Sequence, residues 1–233
     1  MTHCVKFLIG AGLLFCLAGS LGAAENQLTA KETADGWRLL FNGKDHTGWK
    51  CNNGKPIATP IEDESLVPYK SGGYVILYQK KFGDFILKCD VRWEAEHCNS
   101  GIFVRVEDPL NPVHTGIEIQ VLDGPHVGKH AFGTIYDLVG TKEDAGKPTG
   151  QWNHVEIRCQ GPEIAVTING KLVSRINCDE FKRPGFCPDG SRHKYKLNGK
   201  PRAIKDFARV GYLGFQDHGQ KVWYRNIKLL ELK

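Results

Sequence analysis

Val166-Thr167-Ile168-Asn169-Gly170-Lys171-Leu172-Val173 decides the fold class. Asn-Gly between two alternating runs is the strongest short-range signal for a two-residue β-hairpin, because both turn positions need a left-handed backbone. Working outward, residues 154–159 and 164–168 before the turn and 172–176 after it alternate with period two. The same pattern recurs at 74–78, 85–93, 101–106, 116–122, 134–139, 211–215 and 222–230. Thr29-Ala30-Lys31-Glu32 predicts one short capped helix before Gly36. The spacing of the strands predicts an all-β, antiparallel two-sheet sandwich.

A β-sandwich of about 200–250 residues commonly forms one unit. The 233-residue chain is therefore read as a single domain over 25–233, after a leader at 1–24. Hydrophobic residues make up 41%, which excludes disorder for most of the chain. The net charge of +5, from 31 Lys+Arg against 26 Asp+Glu, is too small and too spread for a nucleic-acid binder. In the leader, Lys6 precedes an apolar run over 7–21, and Gly22-Ala23-Ala24 supplies small residues before Glu25. That is the layout of a secretory signal peptide. The expectation is a secreted or periplasmic protein with no membrane attachment after cleavage.

Six cysteines follow the leader: Cys51, Cys89, Cys98, Cys159, Cys178 and Cys187. An even number in an oxidising compartment predicts disulfides, with fifteen connectivities open. Cys89 and Cys159 each share a strand face with apolar neighbours, so they can pair if those strands are adjacent. Cys178 and Cys187 are close in sequence, which leaves Cys51 and Cys98. Residues 179–205 carry three prolines (Pro184, Pro188, Pro201) and a basic cluster that includes Arg192, His193, Lys194, Lys196, Lys200, Arg202 and Lys205. They read as a surface insertion, a solvated loop rather than an anionic-glycan contact.

Alternation also exposes one unusual sheet face. In Ile117-Glu118-Ile119-Gln120-Val121, Glu118 and Gln120 project together, away from the core. By the same parity Phe103 and Arg105 oppose Ile102 and Val104, Gln216 and His218 oppose Leu213 and Phe215, and Tyr136 follows suit. Solvated faces favour Lys, Glu and Thr, whereas this one is rich in amides, imidazole, guanidinium and aromatics, which suit a sugar. A conventional glycosidase needs two carboxylates about 5–10 Å apart. Here the strand reads Glu118-x-Gln120, with an amide in the second place.

A series of motifs then carries a resemblance. Gly36-Trp37-Arg38-Leu39-Leu40-Phe41-Asn42-Gly43-Lys44-Asp45-His46-Thr47-Gly48-Trp49 is similar to the opening of the family once called DUF1080, described as 3-keto-disaccharide hydrolases. Cys98-Asn99-Ser100-Gly101-Ile102-Phe103-Val104-Arg105, Gly116-Ile117-Glu118-Ile119-Gln120-Val121 and Tyr136-Asp137-Leu138 follow in family order. So do Gly150-Gln151-Trp152-Asn153, Gly214-Phe215-Gln216-Asp217-His218-Gly219 and Val222-Trp223-Tyr224-Arg225-Asn226-Ile227. His46 stands where the family has Leu, and the 182–205 insertion is outside its common pattern.

The resemblance implies a jelly-roll sandwich of the concanavalin A-like lectin/glucanase type, and it supports the Cys89–Cys159 pair. It implies an enzyme whose substrate is a di- or oligosaccharide or glycoside already oxidised at C3; whether a separate sugar 3-dehydrogenase supplies it is left open. A C3 ketone acidifies the C2 hydrogen, so one base can drive elimination of the C1 substituent before water adds back. Either Glu118 or His218 is the expected base, and the other the acid. Arg105, Gln120 and Tyr136 are expected to stabilise the enolate, and Asn99, Gln216 and Asp217 to contact substrate. A non-catalytic glycan-binding module and a conventional glycosidase are the alternatives. No cofactor is expected; calcium, through Asp45, Asp123 or Asp137, is left open.

Overall fold

The computed structural model describes Met1 and residues 24–233; the predicted signal segment lies outside them apart from its two ends. The chain runs β1 (Arg38–Leu39), β2 (Trp49–Cys51), β3 (Val75–Tyr78), β4 (Phe85–Trp93), β5 (Asn99–Val106), β6 (Ile117–Leu122) and β7 (Asn153–Gln160). It continues with β8 (Glu163–Ile168), β9 (Lys171–Asn177), β10 (Lys196–Leu197), β11 (Lys200–Pro201), β12 (Tyr212–Gln216) and β13 (Val222–Glu231). Helix α1 (Ala30–Ala34) carries the predicted capping box, with Thr29 and Glu32 bonded reciprocally. Helix α2 (Pro112–Thr115) is a single turn.

Two antiparallel sheets make the sandwich that the strand spacing predicts. One has the order β1-β13-β4-β7-β8-β9, the other β2-β3-β12-β5-β6. Strand β4 alternates strictly between buried and half-buried residues, the mark of one face in the core and one towards solvent. The predicted hairpin joins β8 to β9, with Ile168 opposite Lys171 and positive φ at both Asn169 and Gly170. Trp49, Phe215 and Tyr224 stack in the core between the sheets, with centroids 5.4 Å and 4.1 Å apart.

Three expectations need correction. Residues 134–139 form no full strand. Gly133, Thr134 and Tyr136 bond to the backbone of β6, but Leu138 and Val139 N–H then donate back to the Ile135 carbonyl and turn the chain. The insertion is not merely a solvated loop. Phe181, Tyr195, Ala203 and Ile204 are buried in it, and β10 pairs with β11.

The six described cysteines that were disulfide candidates are buried free thiols. Cys89 and Cys159 do lie on neighbouring strands and face one core. However, Cys89 stands opposite Val155 and Cys159 opposite Phe85. Four residues of strand separate them, about 13 Å at the usual rise, well beyond disulfide reach. Cys51 is linked across the sheet through Ile76 and Phe215 to Ile102, three strands away, and Cys98 precedes Ile102 by four residues. Cys178 and Cys187 are likewise unpaired, and the Cys187 thiol approaches the Asp137 carbonyl at 3.6 Å. Burial pushes the Cys159 thiol up to about 12.

Candidate functional site

The outer face of the five-stranded sheet gathers the predicted polar residues. Register places Glu118 opposite Phe103, Phe103 opposite Gly214, and Gly214 opposite Leu77. The neighbouring row runs from Gln120 to Gly101. Gly101 is required here: a Cβ at that position would meet Glu118 Oε1 at 2.9 Å and Gln216 Oε1 at 3.4 Å. The absent side chain makes room for the carboxylate and the amide above it. Val75, Leu77, Phe103 and Val106 form an apolar floor beside them.

Glu118 is 4% exposed, Gln120 2% and Gln216 3%. The Gln216 amide donates to the Tyr74 hydroxyl at 2.6 Å and to Glu118 Oε1 at 3.4 Å. The Gln120 amide reaches Asn99 Oδ1 at 3.5 Å. Gln120 Oε1 and Gln216 Oε1 are buried with no partner among the described residues. Buried acceptors are normally satisfied, so two orphans flanking one carboxylate are ready for a ligand's hydroxyl groups.

Sequence reasoning missed the cation of this site. Lys194, inside the basic insertion, ion-pairs with Glu118 Oε2. Its ammonium lies 4.2 Å from the Tyr136 ring centroid, and its backbone N–H donates to Asp137 Oδ2. Tyr136 in turn stacks on His130, with centroids 4.7 Å apart. Nothing in the sequence separates Lys194 from its basic neighbours, and 76 residues lie between it and Glu118. Tyr74, at the lip of β3, was read only as a strand residue. Its phenol is pushed up by burial and by the Glu118 charge, and the Tyr136 phenol is raised for the same two reasons with Asp137 adding to them. Both tyrosines therefore keep their protons across the neutral range.

Arg105 does not join this face. The pairing of β5 with β12 shifts register between Tyr212 and Gly214, and Arg105 has φ +54. This bulge puts Val106 on the outer face beside Phe103 and turns Arg105 away from it. The guanidinium is 1% exposed and bonds Asp84 Oδ1 at 3.2 Å, next to the β7–β8 turn, where Gly161 N–H bonds the same carboxylate. His218 is not brought against Glu118 either. Strand β12 ends at Gln216, and the Asp217 carboxylate accepts from Gly219 N–H at 2.9 Å and Lys70 N–H at 2.7 Å, folding a turn. His218 sits exposed on that turn, without a hydrogen bond among the described residues. Asp217 organises the loop. Gln220 ties the loop to the face by accepting from Asn99 N–H at 2.7 Å.

The calcium candidates belong to three different segments. Asp45 accepts from Thr47 N–H, Asp123 from the Thr149 hydroxyl and Asp137 from Lys194 N–H. Among the described residues no three His, Cys, Asp or Glu side chains gather as metal ligands.

A buried carboxylate flanked by amides, a lysine and protonated tyrosines, on one face of an antiparallel sandwich, is the equipment of a carbohydrate-active enzyme. The chain belongs to the family of 3-keto-alpha-glucoside-1,2-lyase-like domains, which it matches over residues 36–230. It is 27% identical to a 3-keto-disaccharide hydrolase of Bacteroides thetaiotaomicron, over 90% of this chain and 83% of that one. Two crystal structures from Parabacteroides distasonis, of proteins described by inference as glycosyl hydrolases, superpose well. One gives a TM-score of 0.71 at 28% identity, covering 90% of this chain and all of the other. The second gives 0.69 at 26%, covering 84% and 99%.

Proposed function

We propose that the protein cleaves 3-keto-glycosides by elimination and hydration, with Glu118 as the base. The observation that carries this reading is a carboxylate, buried alone among the described acids, ion-paired to a lysine and flanked by two amides whose oxygens lack partners there. Glu118 removes the C2 proton, and the electrons pass to the C3 oxygen as an enolate. The Lys194 ammonium, released from Glu118 as substrate enters, balances that charge. The C1–O bond then breaks, and the leaving oxygen takes a proton from Tyr136 or Tyr74. Water then adds across the C1–C2 double bond: the tyrosinate takes one of its protons as the hydroxyl reaches C1, and protonated Glu118 returns a proton to C2, for net hydrolysis with both groups restored. Gln120 and Gln216 accept hydrogen bonds from ring hydroxyls, and Asn99 extends the same edge.

A sugar 3-dehydrogenase would supply the substrate's ketone, and the leader over 1–24 supports export. The test is NMR product analysis in deuterated water with a 3-keto-glucoside and its unoxidised parent. Cleavage of the keto substrate alone, with deuterium at C2, is expected, and the E118Q variant should abolish it. Cleavage of the parent would instead assign an ordinary glycosidase, in which Asp137, which accepts from the Lys194 backbone N–H, would be the second carboxylate. Sugar binding without turnover would leave a lectin-like module.

A further inference from the structure

A second concavity opens beyond the Glu118 site. It encloses about 480 Å3 between the end of β6, residues 96–97 and residues 123–126 and 144–149. One wall is apolar: Trp93 and Phe132 meet edge to face at 5.2 Å, with Leu122, Pro125 and Pro148 beside them. The other wall is polar. Asp123 accepts from the Thr149 hydroxyl through one carboxylate oxygen, and its other oxygen makes no bond among the described residues. His126 pairs with Asp144 at 2.7 Å on the rim. Glu96, Asp123 and Asp144 outnumber Lys147, so an anion is disfavoured.

The cleft lies along the same strand as the site already described. Glu118, Gln120 and Leu122 project from alternate positions of β6, and Leu122 lines the cleft. The two sites lie about 13 Å apart at the usual strand rise. Gln220 also bridges them, bonding Asn99 at the site and the carbonyl of cleft-lining His97.

We propose that this cleft is a second saccharide subsite, holding an uncharged sugar unit of the same substrate remote from the bond that breaks. The inference rests on reading the Glu118 face as the sugar-cleaving site. A sugar ring matches both walls: its C–H face lies on aromatic and proline carbon, and its hydroxyls donate to Asp123 and Asp144. A single ring cannot fill both places, so substrates longer than one glycosidic unit should gain most.

The experiment compares wild type with a D123N/H126A variant whose melting temperature is first checked. Methyl 3-keto-glucoside fills the Glu118 site alone; the 3-keto derivative of cellotriose reaches the cleft. The variant should raise KM for the longer substrate about tenfold, the loss of a hydrogen bond to a charged group, and leave methyl 3-keto-glucoside unchanged. Equal effects on the two substrates, or none, would overturn the proposal. A separate arm adds unoxidised cellotriose and follows the amide resonances of Gly124, Gly146 and Lys147. Shifts that the variant abolishes support the subsite even if neither keto substrate is turned over, in which case only the Glu118 reading fails. No shift at these amides overturns the subsite whatever the kinetics show.

Discussion

Replacing Lys194 by Met removes the only cation seen to bond Glu118 among the described residues. Breaking a buried ion pair on one side costs about 3–5 kcal/mol, because a charge is left without compensation. The Lys194 side chain is 23% exposed and the Gln216 amide still donates to Glu118 at 3.4 Å, so part of that loss is screened. The expected cost is about 2 kcal/mol at neutral pH, or about 4–8 °C in melting temperature for a domain of this size. The E118Q/K194M double variant should recover most of it, giving a coupling of about 1–2 kcal/mol. Urea denaturation of wild type, both single variants and the double variant measures the cycle. A cycle that closes with no coupling would refute the argument that the insertion neutralises the buried carboxylate.

G101A should keep the fold but lose turnover, because its methyl group would stand 2.9 Å from Glu118 Oε1 and displace the carboxylate; circular dichroism and the keto-substrate assay separate the two effects. R105M should change stability while leaving KM for the sugar unaltered, since Arg105 faces Asp84 rather than the site; a raised KM would mean the bulge has been misread. Burial lowers the pKa of His46, His114 and His193 below the ordinary 6.5. Unfolding therefore takes up protons at these positions. Stability should be fully present above about pH 6.5 and fall as the pH drops through the lower folded values, which denaturation midpoints between pH 7 and 5 would show. Native protein should resist alkylation at its six buried thiols, and denatured, unreduced protein should take up label at Cys89 and Cys159, as mass spectrometry of the peptides would record.

The sandwich was legible because alternation is a direct consequence of strand geometry, and Asn169-Gly170 is a turn with few alternatives. The same parity placed Glu118, Gln120, Gln216 and Tyr136 on one face. It failed where the backbone departs from a regular strand. Arg105 takes a left-handed φ that no residue type announces, and one inserted residue reverses every side chain beyond it. His218 was lost because Asp217 caps its own loop and ends the alternation two residues early. The disulfide expectation foundered on register: parity says which way a side chain points but not how far along the strand its partner lies. Lys194 was illegible for a different reason. Contacts between an insertion and a sheet depend on how the loop folds back, and that is held by scattered buried anchors such as Tyr195 and Ile204.

The division of labour between Glu118 and Lys194 bears on how such a site diversifies. The carboxylate is rooted in β6, laddered to β5 along its length, so it tolerates little change. The ammonium arrives on a strap that leaves edge strand β9, returns to the sandwich before β12 and takes no place in either main sheet. Exchange of that strap alone, as a cassette, would reset the charge facing the substrate without any redesign of the framework. Chimeras swapped at residues 179 and 205 are the natural unit in which to look for altered substrate preference.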